Sequence, residues 1–388
     1  MSEKQPLVLH VVRQFLPNRG GLEDVVANLC RVLPERGYRV RVLTLDRLFV
    51  DPARTLPHTE TISGIEVVRI PWQGSTRYPF APSVFRHLAE ADIVHVHAID
   101  FFYDALALGW LLHRKPMIVT THGGFFHTRA HSTLKRIWFN TLSRLSATAY
   151  QAIACCSQSD KAMFDRIAQS RTVLVENGAD TAKFADAAAN AATRGLITIG
   201  RFSANKQLPR LLDAVKVLVS QNAKWRLTIA GVPSDLTEQD LRKAIADRGL
   251  VGNVRVAIGA SNAEVGAMMR DASLFVSASE YEGFGLVAIE AMSAGLLPVL
   301  QPNDAFASLA AKHPAIRLAK FEDPIRAAAV INRAFEDLER NTDGERHAAI
   351  NAATEYAWSN VAGKYTALYD RILAQRGQVA IGIAKAAA

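Results

Sequence analysis

The feature that most constrains this chain is an alternation of short apolar runs with helix-sized segments, carried through once and then begun again. The first cycle opens with Leu7–Val12, an apolar run that leads into Arg13-Gln14-Phe15-Leu16-Pro17-Asn18-Arg19-Gly20-Gly21 and reads as a buried strand followed by a loop. Leu22–Leu33 carries apolar residues at helical spacing, Pro34 and Gly37 close it, and Arg39–Leu45 returns to a β-rich run. That is one βαβ unit. The pattern continues through Asp92–His97 as strand, Ala105–Leu112 as helix, Met117–Thr121 as strand, a helix after His131, and the strands Ala152–Ala154 and Thr172–Val175. It restarts at Leu196–Gly200, with strand-like runs at Arg226–Gly231, Val254–Gly259, Leu274–Ala278 and Leu297–Leu300 and helix-sized gaps such as Lys206–Val219 and Glu238–Asp247. Alternation of this kind predicts parallel sheets with helices on both faces.

Between the cycles, Ala185–Thr193 consists of small residues without a periodic apolar face and reads as a linker. The expected fold class is therefore α/β: two Rossmann-like doubly wound parallel-sheet domains, at residues 1–184 and 195–355, joined by 185–194 and followed by a C-terminal helical segment at 356–388. A chain of 388 residues has room for two such cores. Open sheets bind ligands beyond the carboxyl ends of their strands, so two facing domains would share a cleft.

Composition narrows the partners. The formal charge of +8 points to anionic company, whether nucleic acid, phosphorylated metabolite or membrane surface. Three cysteines, with Cys155 and Cys156 adjacent and Cys30 far upstream, suit neither a disulfide framework nor a four-ligand zinc site and fit a reducing compartment. The N-terminus lacks the pattern of a signal peptide, and Ala105–Leu112 falls far short of the roughly 20 residues of a spanning helix. The expectation is a cytoplasmic protein that does not cross a membrane.

Chemistry is to be sought in loops that follow strands. Gly20-Gly21 would let backbone amides approach a phosphate at a helix N-terminus, or serve a turn that needs positive φ. Arg201 and Lys206 flank the loop after the first strand of the second cycle, where an Arg fork and a Lys point charge can grip a diphosphate, or form a solvated surface pair. In Ser279–Glu290, Glu282 lies in a loop and Glu290 about two turns into a helix, beside Gly283 and Gly285. Carboxylates accept paired hydroxyl hydrogen bonds, so this pair suits a sugar; the alternatives are an exposed helical residue and a favourable first-turn charge. The same stretch matches G-x-G-x-x-A from Gly283 to Ala288, with Asp304 downstream, which keeps an NAD-dependent dehydrogenase in view. Against it, the match follows the fourth strand of its domain, whereas the dinucleotide fingerprint follows the first.

Taken in order, Gly20-Gly21, Thr121-His122-Gly123, Asn177-Gly178-Ala179-Asp180, Gly200-Arg201 with Lys206, the E-x7-E pair Glu282 and Glu290, and Tyr356-Ala357-Trp358 before an amphipathic helix through Tyr365, Leu368 and Tyr369 resemble glycosyltransferase family 4, the retaining GT-B enzymes. The resemblance covers nearly the whole chain. It implies a nucleotide-sugar donor whose diphosphate meets Arg201, Lys206 and the amides of Gly20 and Gly21. Glu282 with Gly283, Phe284, Gly285 and Leu286 would hold the sugar, and Glu290 the ribose, while His122 would stand near the reaction centre with Glu282 as the other catalytic residue. It further implies a last helix that crosses back to the N-terminal domain, and retention of configuration by same-face attack. No D-x-D occurs, so no metal is expected.

From Ala105 to Ser159 there is no acidic residue, whereas Arg114, Lys115, Arg129, Lys135, Arg136 and Arg144 lie inside that window with four histidines. Phe125-Phe126, Ile137-Trp138-Phe139 and Leu142 alternate with these cations, as on a surface that rests on anionic lipid headgroups, although aromatics at helical spacing also build cores. No nucleic-acid-binding motif is recognisable, so nucleic acid is not an expected partner. The opening His10–Glu23 is similar to the mannosyltransferases of acetan- and xanthan-type exopolysaccharide assembly. That resemblance implies GDP-mannose as donor, a polyprenyl-diphosphate-linked glycan as acceptor, a peripheral place on the inner face of the cytoplasmic membrane, and Arg13, His95 and His97 on the acceptor side. A UDP-sugar donor, or binding without turnover, remain as alternatives.

Overall fold

The computed structural model describes residues 5–18, 20–76, 78–123 and 136–386. Its contacts divide the chain into two compact units, Met1–Asn177 with Trp358–Ala388 and Gly178–Ala357. The division falls at Asn177 rather than at residue 184, and the expected linker is part of the second unit. There the amides of Asp186 and Ala188 donate to the carbonyls of Ser293 (3.3 Å) and Ala294 (2.8 Å), and the Thr193 amide donates to Ser273 Oγ (2.7 Å). Ala187 and Ala188 lie against the core. The segment lacks periodicity because it follows turns and bends against a helix end, where small side chains permit close approach.

In the first unit the main sheet comprises β1 (Leu7–Val11), β2 (Arg39–Leu45), β3 (Thr59–Ile62), β4 (Ile65–Ile70), β5 (Ile93–His97), β6 (Met117–Thr120), β7 (Ala152–Cys155) and β8 (Thr172–Leu174). Their order is β8-β7-β6-β5-β1-β2-β4-β3, parallel except for the β3–β4 hairpin. The hairpin was not expected from the sequence. Its turn, Ser63-Gly64, has φ of 51° and 83°, the positive pair that matches strand twist in a two-residue loop.

Every residue of β1 and β5 is buried. Successive side chains alternate between two covered faces. Leu9, Val94, Val119 and Ile153 join the core that holds Phe101 to Tyr103, whereas Val8, Ile93, Ile118 and Ala152 meet Val361, Tyr365, Leu368 and Tyr369 of the helix Trp358–Ala386. The helix expected at Ala105–Leu112 runs instead over Phe101–Leu108, because the Asp100 side chain accepts from the Phe102 amide and starts it earlier; Gly109 then separates it from Trp110–His113. Of the helix expected after His131, residues up to 135 lie outside the described set, and helical structure is described from residue 136.

The second unit contains β9 (Gly195–Ile199), β10 (Arg226–Gly231), β11 (Val254–Ile258), β12 (Leu274–Ser277), β13 (Leu297–Leu300) and β14 (Arg317–Leu318), all parallel in the order β11-β10-β9-β12-β13-β14. One face packs with Trp225 and the helices Leu208–Gln221 and Pro324–Arg340, and the other packs with Leu286–Ser293. Cys30, Cys155 and Cys156 are buried free thiols.

The Tyr369 hydroxyl bonds His95 Nδ1 at 2.7 Å in the interior of the first unit. Tyr369→Phe leaves that nitrogen without its partner and lowers the unfolding free energy by about 1–3 kcal/mol, as read from urea denaturation of the full chain.

Candidate active site

In the second unit two loops leave the sheet side by side. Gly231, at the end of β10, lies so close to the Gly200 carbonyl that a Cβ there would be 1.8 Å from its oxygen. This crossing requires glycine and sets the path of the loop carrying Arg201 and Lys206. Asn205 joins that loop to the one after β12. Its side chain donates to the Tyr281 carbonyl (2.8 Å) and accepts from the Tyr281 amide (3.0 Å), and its own carbonyl accepts from the Glu280 amide (3.0 Å). The result is a contact of 2.7 Å between Lys206 Nζ and Glu282 Oε1, both partly buried, with Arg201 exposed on the same loop.

Gly283 has open space where a Cβ would stand, and Gly285, at φ 89°, caps the helix Leu286–Ser293. A side chain at Gly285 would also strike the Phe306 ring, 2.7 Å from its Cβ. The first turn of this helix holds no acidic residue, so its amides and dipole favour an anion. Phe284 packs edge-on against Tyr356 at 5.6 Å. Leu286 is half-buried against the core. Glu290 is only 15% exposed and is held by Lys183 Nζ at 3.3 Å. Burial raises the pKa of Glu290 and the Lys183 charge opposes that rise. Lys183 was not singled out in the sequence. Its signal is a turn in which its amide donates to Asp180 Oδ1 (3.1 Å), directly after Asn177-Gly178-Ala179-Asp180.

In the first unit, parallel pairing sets His10 of β1 beside His95 of β5, and Thr120 of β6 beside His97. His95 and His97 share a face with ring centroids 4.1 Å apart. His10 Nδ1 lies 2.9 Å from His97 Nε2, and His97 Nδ1 lies 2.9 Å from His122 Nε2. His122 follows β6 at φ 52° and is partly exposed. His95 bonds Tyr369 through Nδ1 and Thr120 Oγ1 through Nε2, each at 2.7 Å. Neither His95 nor His97 lines an acceptor surface, contrary to the expectation, because β5 is central in the sheet and both rings are enclosed. His10 was not anticipated at all. His10, His95 and His97 place nitrogen atoms within 4.8 Å of one another, a spacing that would suit a metal ion only at the expense of the His95 hydrogen bonds.

Gly20 caps the helix Gly21–Val32 in an extended conformation, φ −162°, so the glycine pair does not serve a positive-φ turn. A Cβ at Gly20 would meet Glu23 Oε2 at 2.6 Å, whereas space around Gly21 is open. Arg13 Nε stands 2.9 Å from Asp100 Oδ2, and its guanidinium lies 6.0 Å from the Phe49 ring centre. Burial raises the Asp100 carboxyl to about 6 against the opposing Arg13 charge. Arg13, Gln14, Leu22, Glu23 and Phe49 line a cavity of about 250 Å³.

Within the acid-free stretch, Phe125, Phe126, Arg129 and Lys135 lie outside the described residues. Phe139 is core rather than surface, and Leu142 is half-buried. Ile137, Trp138 and Leu145 are exposed, as are Leu108, Leu111 and Leu112, the last by 90%, and the cations Arg114, Arg136 and Arg144 are exposed too.

Burial lowers His10 from 6.5 to about 3, and His95 and His97 well below 6.5. The unfolded chain therefore binds these protons first, and stability present above pH 6.5 is lost as pH falls toward 3. His95→Gln reduces by about one the number of protons taken up on unfolding near pH 5, measured as the slope of stability against pH.

The family model Glycosyltransferase Family 4 matches residues 19–183, and Glycosyl transferases group 1 matches residues 180–355. The chain is 42% identical over 367 residues to the GDP-mannose:cellobiosyl-diphosphopolyprenol alpha-mannosyltransferase of Komagataeibacter xylinus, covering 94% of this chain and 93% of that protein. It is 44% identical over 370 residues to the protein of the same name from Xanthomonas campestris, covering 94% and 97%. A glycosyltransferase structure from Rickettsia africae superposes with a TM-score of 0.72 at 14% identity, covering 95% of this chain and 99% of that one, and so shares the fold. The chain belongs to glycosyltransferase family 4, with two doubly wound parallel-sheet units of the GT-B class.

Proposed function

We propose that this protein transfers a mannosyl group from GDP-mannose to cellobiose carried on a polyprenyl diphosphate, with retention of configuration and without a divalent metal, at the inner face of the cytoplasmic membrane. The observation that carries the reading is identity of 42–44% across 94% of the chain with enzymes named for that reaction. The stitched pair of loops in the second unit supports it. Charge develops on the departing nucleotide diphosphate; Lys206, held by Glu282, and the amides at the start of Leu286–Ser293 are in place before the reaction begins, and Arg201 adds a second cation from the same loop. Glu282 and the amides of Gly283 to Leu286 receive the sugar and Glu290 the ribose hydroxyls; in the first unit the open side of Gly21 suits a phosphate oxygen. A diphosphate oxygen of the leaving group takes the acceptor proton. In the first unit His122 is a residue of the transfer site, and the Arg13 cavity receives the acceptor.

A nucleotide that binds only the folded chain raises its melting temperature, by a stabilisation of about 2.7 kcal/mol at a hundredfold excess over Kd. In a panel of GDP, UDP and ADP without added metal, GDP gives the largest shift, and Lys206→Ala removes it with the fold intact. A preference for UDP overturns the mannosyl reading. Transfer that is lost with a chelator and restored by a divalent cation overturns the metal-free one.

Among the described residues no helix is long and apolar enough to cross a membrane. Exposed Leu108, Leu111 and Leu112, with the exposed Arg114 directly downstream, combine apolar area with a cation, the pair of attractions that holds a protein on anionic lipid. Cosedimentation with vesicles containing phosphatidylglycerol is expected to be salt-sensitive, absent with duplex DNA, and lost in the Leu111→Glu, Leu112→Glu double variant. Equal cosedimentation of that variant excludes this face.

A further inference from the structure

We infer that the imidazole chain His10–His97–His122 fixes the tautomer of His122, so that this residue offers an N–H donor at Nδ1 rather than a base. The inference rests on the reading of His122 as a site residue. Three rings in series share two hydrogen bonds of 2.9 Å. A neutral imidazole carries one N–H and one acceptor nitrogen, so the direction of either bond sets the whole chain. Two directions exist. In one, His10 Nδ1 donates to His97 Nε2 and His97 Nδ1 donates to His122 Nε2, which leaves the His122 hydrogen on Nδ1. In the other, both bonds reverse, and His10 must carry its hydrogen on Nε2.

The far end of the chain decides between them. His10 Nε2 has no hydrogen-bond partner among the described residues, and the ring is 0% exposed. His95, which lies against it with centroids 5.1 Å apart, is committed through both nitrogens to Tyr369 and Thr120 and cannot serve. A buried N–H without an acceptor forfeits a strong hydrogen bond, and orphaned buried donors are rarer in native proteins than under-used acceptors. The first direction places a bare lone pair at that spot, and the second an orphaned donor. A charged chain, with an extra proton, is disfavoured by the same enclosure.

His10 and His97 are thus positioning residues. With its hydrogen on Nδ1 and its Nε2 occupied by His97, His122 donates to an oxygen and has no lone pair with which to take the proton of an acceptor hydroxyl. That proton goes to the leaving diphosphate.

The test uses the full chain with 15N-labelled histidine. Long-range proton–nitrogen correlation at pH 7 distinguishes the two neutral tautomers, and His122→Ala assigns the signals. The expected result is a His122 hydrogen on Nδ1. In parallel, His10→Phe removes the terminal donor and His10→Asn keeps an N–H close to the Nδ1 position. His10→Phe is expected to lower kcat for sugar transfer roughly 10- to 100-fold, as when a group orienting a functional imidazole is removed. Its KM for the donor changes less than about threefold, since ground-state binding is untouched. His10→Asn restores most of the rate. A His122 hydrogen on Nε2, a doubly protonated ring, His10→Asn no better than His10→Phe, or stoichiometric zinc in the purified protein would each overturn the inference. Wild-type transfer by His122→Ala sinks instead the reading of His122 on which it rests.

Discussion

A parallel sheet has to be covered on both faces, and in the first unit the second cover comes from residues far along the chain. Strands β1, β5, β6 and β7 turn Leu9, Val94, Val119 and Ile153 toward one layer and Val8, Ile93, Ile118 and Ala152 toward the other. Connections between neighbouring strands supply the first layer. The helix Trp358–Ala386 supplies much of the second. Its contact is not purely apolar, because the same face of the strands continues into His10, His95, His97 and Thr120. Tyr369 and Tyr365 place hydroxyls against His95 and Thr120 at 2.7 and 3.0 Å, so the helix is held in one register by hydrogen bonds that no solvent can replace.

The second unit meets the same requirement with local connections, and it uses its strand ends differently. Close passage of Gly231 under Gly200 and the bonds of Asn205 bring two loops into contact, and the Lys206–Glu282 pair is the outcome. Each charge keeps the other in place before a ligand arrives. In the function proposed above, a diphosphate that drew on Lys206 would release Glu282 to hydroxyl donors. Glu290 answers the same logic, held by Lys183, whose charge opposes the upward push of burial on its carboxyl.

Most strands of both sheets were legible because a doubly covered strand is rich in apolar residues on both faces, and Arg226–Gly231 and Leu297–Leu300 match to the residue. The β3–β4 hairpin was not, since β3 alternates exposed and half-buried positions in a sequence as polar as Thr59-Glu60-Thr61-Ile62. Of the site, the loop residues Arg201, Lys206 and Glu282 could be placed from strand ends alone. His95 could not. Period-two spacing reveals that it shares a face with His97, but only the distant Tyr369 determines that this face is covered. The same holds for His10, whose neighbours are set by strand order, and for Leu108, Leu111 and Leu112, whose helical spacing is that of a core.

The long return of the Trp358–Ala386 helix bears on how the protein is made. Ribosomes release residues 1–177 first, then the 180 residues of Gly178–Ala357, and only afterwards the segment that covers Val8, Ile93, Ile118 and Ala152. At roughly 5–20 residues per second, the nascent first unit waits about 10–40 s with an apolar sheet face open and its buried histidines solvated. The second unit, whose strands and covering helices are contiguous, has no such delay. The exposed interval is where chaperone binding or aggregation of the unfinished chain would act.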